Sequence, residues 1–161
     1  MTIQLDLYDL RLLTALQREG RSPNAALAEQ VGLSASQVSR RLSRLEQDGV
    51  IASYAALLNP EAAGLSVMAF SSVSLERHAE ELVLGFERAV TSRPEILECW
   101  SVTGGDDFVL RIVARDLKAF ADFLSQHILR LPGVRSVRSA IVLHRIKQTT
   151  ELPLDQLAST A

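Results

Sequence analysis

The sequence predicts an α+β protein with two parts, a three-helix unit followed by a βαββαβ unit. Short amphipathic segments in the first part each end near a glycine, at Gly20, Gly32 and Gly49, as helices commonly do. From Leu65 onward, segments of strand-like alternation flank two segments with helical periodicity. The resulting order, strand-helix-strand twice over, is the split βαβ or ferredoxin-like arrangement.

Composition excludes several classes of protein. The chain has 161 residues, a net charge of -2 and 47% apolar residues, as expected for globular domains with a core. Its one cysteine, Cys99, excludes an internal disulfide, and we expect it to be a small buried strand residue rather than a nucleophile. We find neither a secretory signal pattern nor a run of ~20 apolar residues that could span a membrane. We therefore expect a cytoplasmic protein with no membrane partner.

Polar residues predict where the three helices begin. Asp6 is suited to cap the first helix, with Asp9 three residues later as its capping-box partner. Ser22, which precedes a proline, is predicted to cap the second helix. Ser34 is predicted to cap the third helix, with Gln37 completing a second capping box.

The third helix has one apolar face and one basic face. Val38, Leu42 and Leu45 recur at the spacing of a buried stripe. The rest of the helix offers arginine, serine and glutamine, which bond to base edges and phosphates. We therefore predict a helix-turn-helix unit whose third helix enters the major groove of double-stranded DNA. The predicted DNA-binding residues are Ser34, Ser36, Gln37, Ser39, Arg40, Arg41 and Arg44.

Changes in sequence pattern place the domain boundaries. We predict a helix-turn-helix domain over 1–51, a strand and linker over 52–64, a ferredoxin-like domain over 65–148 and a weakly ordered tail over 149–161. Val50 to Leu58 is predicted to form a strand, which would serve as a wing. With both helices on one face of the second domain, the other sheet face is bare and partly apolar, and a second copy of the chain is its simplest cover. The predicted elements of this domain are strands 65–75, 96–103, 108–114 and 134–143 and helices 78–92 and 117–131, with Leu117, Phe120, Leu124, Ile128 and Leu131 on the buried face of the last helix.

The turn from Thr103 to Phe108 contains two glycines and two aspartates. A plain hairpin turn is one interpretation, since both residue types are common in turns. A small-molecule site is the other, because backbone amides near glycines can receive a carboxylate and an aspartate can hold an ammonium group. Those two groups are what a free amino acid presents. The spacing alone leaves both interpretations open.

An ordered series of motifs runs through the whole chain. It includes Leu5-Asp6-Leu7-Tyr8-Asp9, Gly32-Leu33-Ser34, Arg40-Arg41-Leu42, Val102-Thr103-Gly104, Asp107-Phe108 and Leu131-Pro132-Gly133-Val134. With these motifs the chain resembles the Lrp/AsnC family of feast/famine transcription regulators over about residues 4–150.

The resemblance implies a winged helix-turn-helix followed by a ligand-sensing ferredoxin-like domain of the RAM type. It also implies dimers that pair through their sheets and assemble into octamers or other higher oligomers. It implies an amino-acid effector, with no other cofactor, in a site made of Val102, Thr103, Gly104, Gly105, Asp106 and Asp107 and completed by Ala140 and Ile141 of a neighbouring subunit. The chain departs from the family pattern where Gly105 replaces an acid and Asp106 replaces an aromatic residue. Shifted effector specificity and weak effector binding both remain open.

Two other functions remain as alternatives to a ligand-responsive DNA-binding regulator. Sirohaem decarboxylases resemble the same two-part architecture, but the three histidines of this chain do not cluster in sequence. An effector-binding partner that has lost DNA binding is the second alternative. We predict no catalytic residue and no metal ligand, because no pair of histidines has metal-ligand spacing and no nucleophile motif is present.

Overall fold

The structure is a computed structural model that describes residues 3–76 and 80–158. The described residues fold into two units. The first contains the residues up to 57 together with 147–158, and the second contains the residues between them. In this described part of the chain, none of the helices has the length and apolar character needed to cross a membrane.

The first unit begins with three helices, α1 (Leu7–Arg18), α2 (Asn24–Val31) and α3 (Ala35–Gln47). Their apolar faces meet in one core, which confirms the predicted three-helix arrangement. Since isolated helices of this length are marginal in water, the shared core stabilises them more than local propensity does. The buried side chains of this core are Leu12, Leu13, Leu27, Ala28, Val31, Val38, Leu42 and Leu45.

Two of the three predicted caps are confirmed. Asp6 and Asp9 form a capping box at α1, and Ser34 and Gln37 form another at α3. Each box satisfies backbone N–H groups that the first helical turn leaves without intrahelical acceptors. The prediction that Ser22 caps α2 is wrong, because the helix begins one residue later, after an extended proline that makes no side-chain cap bond.

The segment 50–58 is not a strand, so the predicted strand and wing are absent from the described residues. The backbone N–H groups of Val50 and Ile51 donate to the Leu45 carbonyl, at 2.9 and 3.1 Å. This ties the start of the segment to the end of α3. Farther along, side chains such as Leu57 are exposed. A strand needs a neighbour to receive its backbone hydrogen bonds, and the first unit supplies none here.

The predicted tail returns to the first unit instead of being weakly ordered. The backbone N–H of Leu152 donates to Gln17 Oε1 at 2.6 Å, and Gln17 Nε2 donates to the Leu152 carbonyl at 3.4 Å. Leu154 packs against the three-helix core, and α6 (Asp155–Ala158) follows. Residues 159–161 of the predicted tail lie outside the described residues.

The second unit is a four-stranded antiparallel sheet with two helical segments. In chain order its elements are β1 (Val67–Leu75), α4 (Glu80–Thr91), β2 (Ile96–Ser101), β3 (Phe108–Ala114), α5 (Leu117–Phe123), a π-helical turn (Leu124–Ile128) and β4 (Val134–Ile141). The predicted start of its first helix at His78 lies outside the described residues. The strands lie in the spatial order β2-β3-β1-β4, which confirms the predicted ferredoxin-like arrangement.

The core of this unit lies between the helices and one face of the sheet. Phe86 of α4 contacts Phe108 of β3, with ring centroids 4.6 Å apart. The prediction that Leu117 faces this core is wrong: it is the first residue of α5, where no preceding turn covers it, and it is exposed. The wider π-helical turn instead brings Phe123 and Ile128, five residues apart, to the buried side.

The opposite sheet face carries exposed apolar side chains, among them Phe70 and Trp100. Arg111 and Glu98 form an ion pair on the same face. The prediction that Cys99 is buried is wrong: it lies on β2, an edge strand, and is exposed there. Partial desolvation and the nearby charge of Glu87 raise the pKa of the Cys99 thiol, which makes it a weak nucleophile.

Candidate DNA-recognition helix and effector loop

The solvent face of α3 carries most of the residues predicted to contact DNA. Ser36, Gln37, Ser39, Arg40 and Arg44 are all exposed. The opposite face is fixed in the core by the predicted apolar stripe. A helix held in this way presents its polar face as a rigid surface, as a major-groove reader requires.

Ser34 and Gln37 serve the helix cap, which takes up part of their hydrogen-bonding capacity. Ser34 Oγ accepts from the Gln37 backbone N–H at 3.2 Å, and Gln37 Oε1 accepts from the Ser34 backbone N–H at 2.9 Å. The hydroxyls of Ser34 and Ser36 are also hydrogen-bonded, at 3.0 Å. Ser34 is therefore bound into the helix start, whereas the amide nitrogen of Gln37 remains on the exposed side.

Arg41 is directed into the first unit. Its guanidinium donates to Asp6 Oδ2 and Asp9 Oδ1, both at 2.7 Å, and lies over the Tyr8 ring, 5.5 Å from the centroid. The hydrogen bonds that Arg41 donates to Asp6 and then to Asp9 raise the pKa of Arg41. Burial opposes ionisation of Asp6, but hydrogen bonds from the Asp9 N–H and from Arg41 outweigh it and lower the Asp6 pKa. Arg41 therefore joins α3 to the start of α1.

Arg44 bonds a buried acid and is also partly exposed to solvent. One of its terminal nitrogens donates to Asp9 Oδ2 at 2.5 Å, while 46% of its side chain is exposed. The Asp9 side chain is only 1% exposed. Asp9 was not predicted as a partner of α3, because an acid 32 residues before Arg41 and 35 before Arg44 is identified only by the folded structure.

Arg40 differs from the other two arginines of α3. Its side chain is exposed, and it has no ion-pair partner among residues 3–76 and 80–158. An exposed guanidinium with all its donors available can bond a guanine bidentately or meet a phosphate.

A polar cleft of about 290 Å³ lies beside α3 and includes Ser39, Ser43 and Tyr54 in its lining. The Tyr54 hydroxyl donates to Glu46 Oε1 at 2.8 Å. Burial, and then the hydrogen bond and charge of Glu46, raise the pKa of Tyr54 to about 12. This bond fixes the start of the interdomain segment against the exposed side of α3.

The predicted effector loop is the connection between β2 and β3. The N–H of Val102 donates to the Asp107 carbonyl at 3.0 Å, and the N–H of Asp107 donates to the Val73 carbonyl at 2.9 Å. Asp107 Oδ2 accepts from the Leu75 N–H at 2.7 Å. Gly104 has φ +125°, a conformation that L side chains rarely adopt. Val102 and Asp107 thus close the loop, and the residues between them project from it.

Asp106 is bonded on both carboxylate oxygens. Oδ1 accepts from the Ser74 hydroxyl at 2.8 Å, and Oδ2 accepts from the Arg138 guanidinium at 2.6 Å. The hydrogen bond from Arg138 and then that from Ser74 lower the pKa of Asp106. An aspartate of this loop was predicted to hold an ammonium group, and its partners Ser74 and Arg138 were not predicted.

Ala140 and Ile141 do not lie beside the effector loop of their own chain. They pair with Phe70 and Ala69 of β1, whereas the loop contacts Ser74. Ser74 lies four positions after Phe70 along β1, a distance of about 13 Å at 3.3 Å per residue. One chain therefore does not assemble the predicted site by itself. Among the described residues, no three His, Cys, Asp or Glu side chains are grouped so that they could hold a metal ion.

A three-helix unit with an exposed polar recognition helix, joined to a ferredoxin-like unit, defines a two-domain DNA-binding regulator. Comparisons with known proteins agree. Residues 5–52 match a model described as winged helix-turn-helix DNA-binding, and residues 68–152 match the Lrp/AsnC ligand binding domain. The chain belongs to the Lrp/AsnC family and is an effector-responsive, DNA-binding transcriptional regulator.

Individual relatives cover nearly the whole chain. It is 38% identical to the leucine-responsive regulatory protein of Escherichia coli (strain K12) over 148 residues, 92% of this chain and 90% of the relative. A transcriptional regulator from Neisseria meningitidis, solved as a complex with L-methionine, is 41% identical with a TM-score of 0.92, over 96% of this chain and 99% of that one. A feast or famine regulatory protein from M. tuberculosis, complexed with L-methionine, is 30% identical with a TM-score of 0.81, over 92% and 99%.

Proposed function

We propose that this protein binds its operators through the solvent face of α3 and that an amino acid bound at the 102–107 loop alters this binding. The observation that carries the proposal is the exposed face of α3, where Arg40, Ser36 and Ser39 are presented by a helix fixed in the core. Side chains of these types read base edges and contact phosphates.

The residues of α3 take different roles in this proposal. Arg40 bonds to a base edge or a phosphate. Ser36 and Ser39, with the amide nitrogen of Gln37, contact bases or the backbone. Ser34 acts as the helix cap, and Arg41 as the connection between α3 and α1, because their polar atoms are used within the unit. Arg44 contributes the part of its guanidinium that faces solvent.

The DNA-binding part is tested with a duplex selected by the protein from random sequences. Fluorescence anisotropy then compares this operator with a scrambled duplex. Arg40→Ala should weaken operator binding by roughly 5- to 100-fold if it contacts a base bidentately. Arg11→Ala is the matched control, since it removes one exposed arginine from α1, away from α3. Equal affinities for the Arg40→Ala variant and the unaltered protein would contradict the proposed face.

The effector is proposed to be an apolar amino acid, with L-methionine and L-leucine as the first candidates. Relatives named above are leucine-responsive or were solved with L-methionine. The Gly104–Gly105 backbone offers amide groups for the carboxylate. Because Ala140 and Ile141 lie about 13 Å away along β1, we propose that a second copy of the chain contributes them.

A homodimer that pairs through the open sheet faces is part of the proposal. Phe70 and Trp100 are both more than two-fifths exposed on that face, and burying them against a second copy would stabilise the pair. Dimers that share effector sites would then assemble into an octamer or another closed oligomer. Effector binding would favour one assembly, and with it one spacing of the recognition helices.

Isothermal titration with the candidate amino acids tests the effector part. Asp106→Asn should weaken binding several-fold, since it removes the charge that holds the loop to Arg138. Asp116→Asn is the matched control, because Asp116 also pairs with an arginine, Arg115, but caps α5 instead of the loop. Equal effects of the two variants, or no heat with any of the twenty amino acids, would contradict the site.

We also propose that regulation, rather than catalysis, is the activity of this protein. A sirohaem-decarboxylase-like enzyme would need histidine and arginine side chains to converge on a cleft. His127 instead lies against Phe123, with ring centroids 5.5 Å apart, and His144 lies beyond the end of β4. The absorption spectrum in the presence of a tetrapyrrole tests this, because binding would produce a strong band near about 400 nm.

A further inference from the structure

Asp9 is a buried carboxylate that faces the recognition helix from α1. Its two oxygens accept from different arginines of α3, Oδ1 from Arg41 at 2.7 Å and Oδ2 from Arg44 at 2.5 Å. Asp6 adds a second carboxylate, which bonds Arg41 at 2.7 Å. The capping box fixes both acids, so the cluster is held by backbone hydrogen bonds as well as by its charges.

The cluster neutralises most of the charge of α3. Two carboxylates, Asp6 and Asp9, face two guanidinium groups, Arg41 and Arg44. Of the three arginines of the helix, only Arg40 has no ion-pair partner in the described chain. A helix with three arginines and one acid, Glu46, in its sequence therefore offers DNA at most the one unpaired positive charge of Arg40.

This arrangement bears on how DNA is read. Arginines without a partner in the protein contact DNA phosphates. Such contacts give affinity for any DNA sequence, and that affinity depends steeply on salt concentration. Base-edge contacts give sequence discrimination and require donors at fixed positions. The guanidinium of Arg44 is held on one edge by Asp9 while almost half of the side chain is exposed. It is placed as a fixed donor rather than as a mobile cation.

We propose that Asp9 is a specificity-determining residue: it withholds Arg41 and Arg44 from phosphates and fixes the donor edge of Arg44 for a base. This rests on the proposed role of the α3 face in DNA binding. Loss of the Asp9 charge should strengthen binding to arbitrary DNA while it weakens discrimination.

The test measures salt-dependent binding to the selected operator and to a scrambled duplex. For Asp9→Asn we expect several-fold tighter binding to the scrambled duplex. We expect its slope of log affinity against log salt to steepen by about 0.9 for each arginine released. The ratio of operator to scrambled affinity should fall roughly 5- to 100-fold. A merely structural role of Asp9 would weaken binding to both duplexes together, and that result would overturn the proposal.

Asp6→Asn is the matched control, because Asp6 contacts Arg41 but not Arg44, and asparagine also serves well as an N-cap. It should leave most of the discrimination in place. In an Arg44→Ala background, Asp9→Asn should no longer change discrimination, since the residue through which it acts is gone. An undiminished effect of Asp9→Asn in that background would overturn the proposal.

A second test compares two arginine variants that both keep Asp9, so it can be made even if the Asp9→Asn protein does not fold. Arg40→Ala should reduce the salt slope on scrambled DNA by about 0.9, whereas Arg44→Ala should leave it almost unchanged, because the charge of Arg44 is already compensated. Equal losses of slope would overturn the proposal. If Arg40→Ala changes neither slope nor operator affinity, the proposed α3 face itself fails, which is a separate result.

Discussion

The C-terminal segment should stabilise the DNA-binding unit, and the double variant Gln17→Ala, Leu154→Ala measures by how much. The side-chain amide of Gln17 accepts a hydrogen bond from the Leu152 N–H at 2.6 Å and donates one to the Leu152 carbonyl at 3.4 Å. Leu154 packs, partly buried, against the three-helix core. The Gln17–Leu152 contact joins residues 135 apart in sequence, and Leu154 likewise reaches the three-helix core from the far end of the chain.

The magnitude follows from these contacts. A buried leucine costs about 2–5 kcal/mol when it is truncated to alanine, and partial burial brings Leu154 to about 1–2 kcal/mol. The short hydrogen bond at Gln17 contributes about 1 kcal/mol, and the long one adds little. The sum is about 2–3 kcal/mol. For a unit of about 70 residues this lowers the melting temperature by roughly 10–20 °C.

Differential scanning calorimetry of the full chain is the assay, because the two units need not unfold together. The transition of the first unit should move, and that of the second unit should remain. Arg18→Ala is the control: its ion pair with Glu151 is exposed on both sides, so its loss should cost at most about 0.5 kcal/mol. A shift no larger than that of the control would refute the docking of the segment.

Three further perturbations test separate parts of the structure. Gly133→Ala should destabilise the second unit by about 1–3 kcal/mol in thermal melts, because φ is +79° and the new Cβ would lie 2.9 Å from Leu82 Cδ1; an unchanged melt would contradict this. The hydrogen bond from Tyr54 to Glu46 should stabilise the protein fully below the unfolded-state tyrosine pKa of about 10 and be lost as pH rises through about 12. In a pH titration of phenolate absorbance, Tyr54→Phe should therefore remove a step near pH 12. Phe70→Asp should convert dimers to monomers in sedimentation velocity, and an unchanged mass would exclude the sheet face as the interface.

Local sequence signals predicted the elements that depend on neighbouring residues. The capping boxes at Asp6 and Ser34 need a partner only three residues away, so both are visible in the sequence. The alternation from Phe108 to Ala114 likewise predicts β3 with its bounds, because the period of a strand is set by its own pleat.

Elements that depend on distant partners were predicted poorly. The segment 50–58 has the composition of a strand, yet the first unit provides no neighbouring strand for it. Leu152 and Leu154 are isolated apolar residues in a polar stretch. Gln17, the partner of Leu152, lies 135 residues earlier, and Leu154 packs against the three-helix core near the other end of the chain. The π-helical turn changes the buried side of the last long helix in a way that a fixed period of 3.6 residues does not represent.

The same limit applies to the candidate sites, where residue type was predictable and its use was not. Arg41 and Arg40 are neighbours of one type in sequence. In the folded unit Arg41 is joined to Asp6 and Asp9, while Arg40 faces solvent. Counting arginines on α3 therefore overestimates its unpaired positive charge, and only the position of the buried acid corrects the count.

The departure of the effector loop from its family pattern has a similar explanation. In sequence, Asp106 is a charge in place of an aromatic residue, which leaves shifted effector specificity and weak effector binding as alternatives. In the structure it is held by Ser74 from β1 and Arg138 from β4, so the charge is compensated by two strands of the same sheet. Ser74 and Arg138 fix the loop to the sheet by hydrogen bonds to Asp106. Because hydrogen bonds from Arg138 and Ser74 lower the pKa of Asp106, the stabilising effect of this contact should be fully present above the ordinary aspartate pKa of about 3.9 and be lost only as pH falls through the lower pKa of the folded protein.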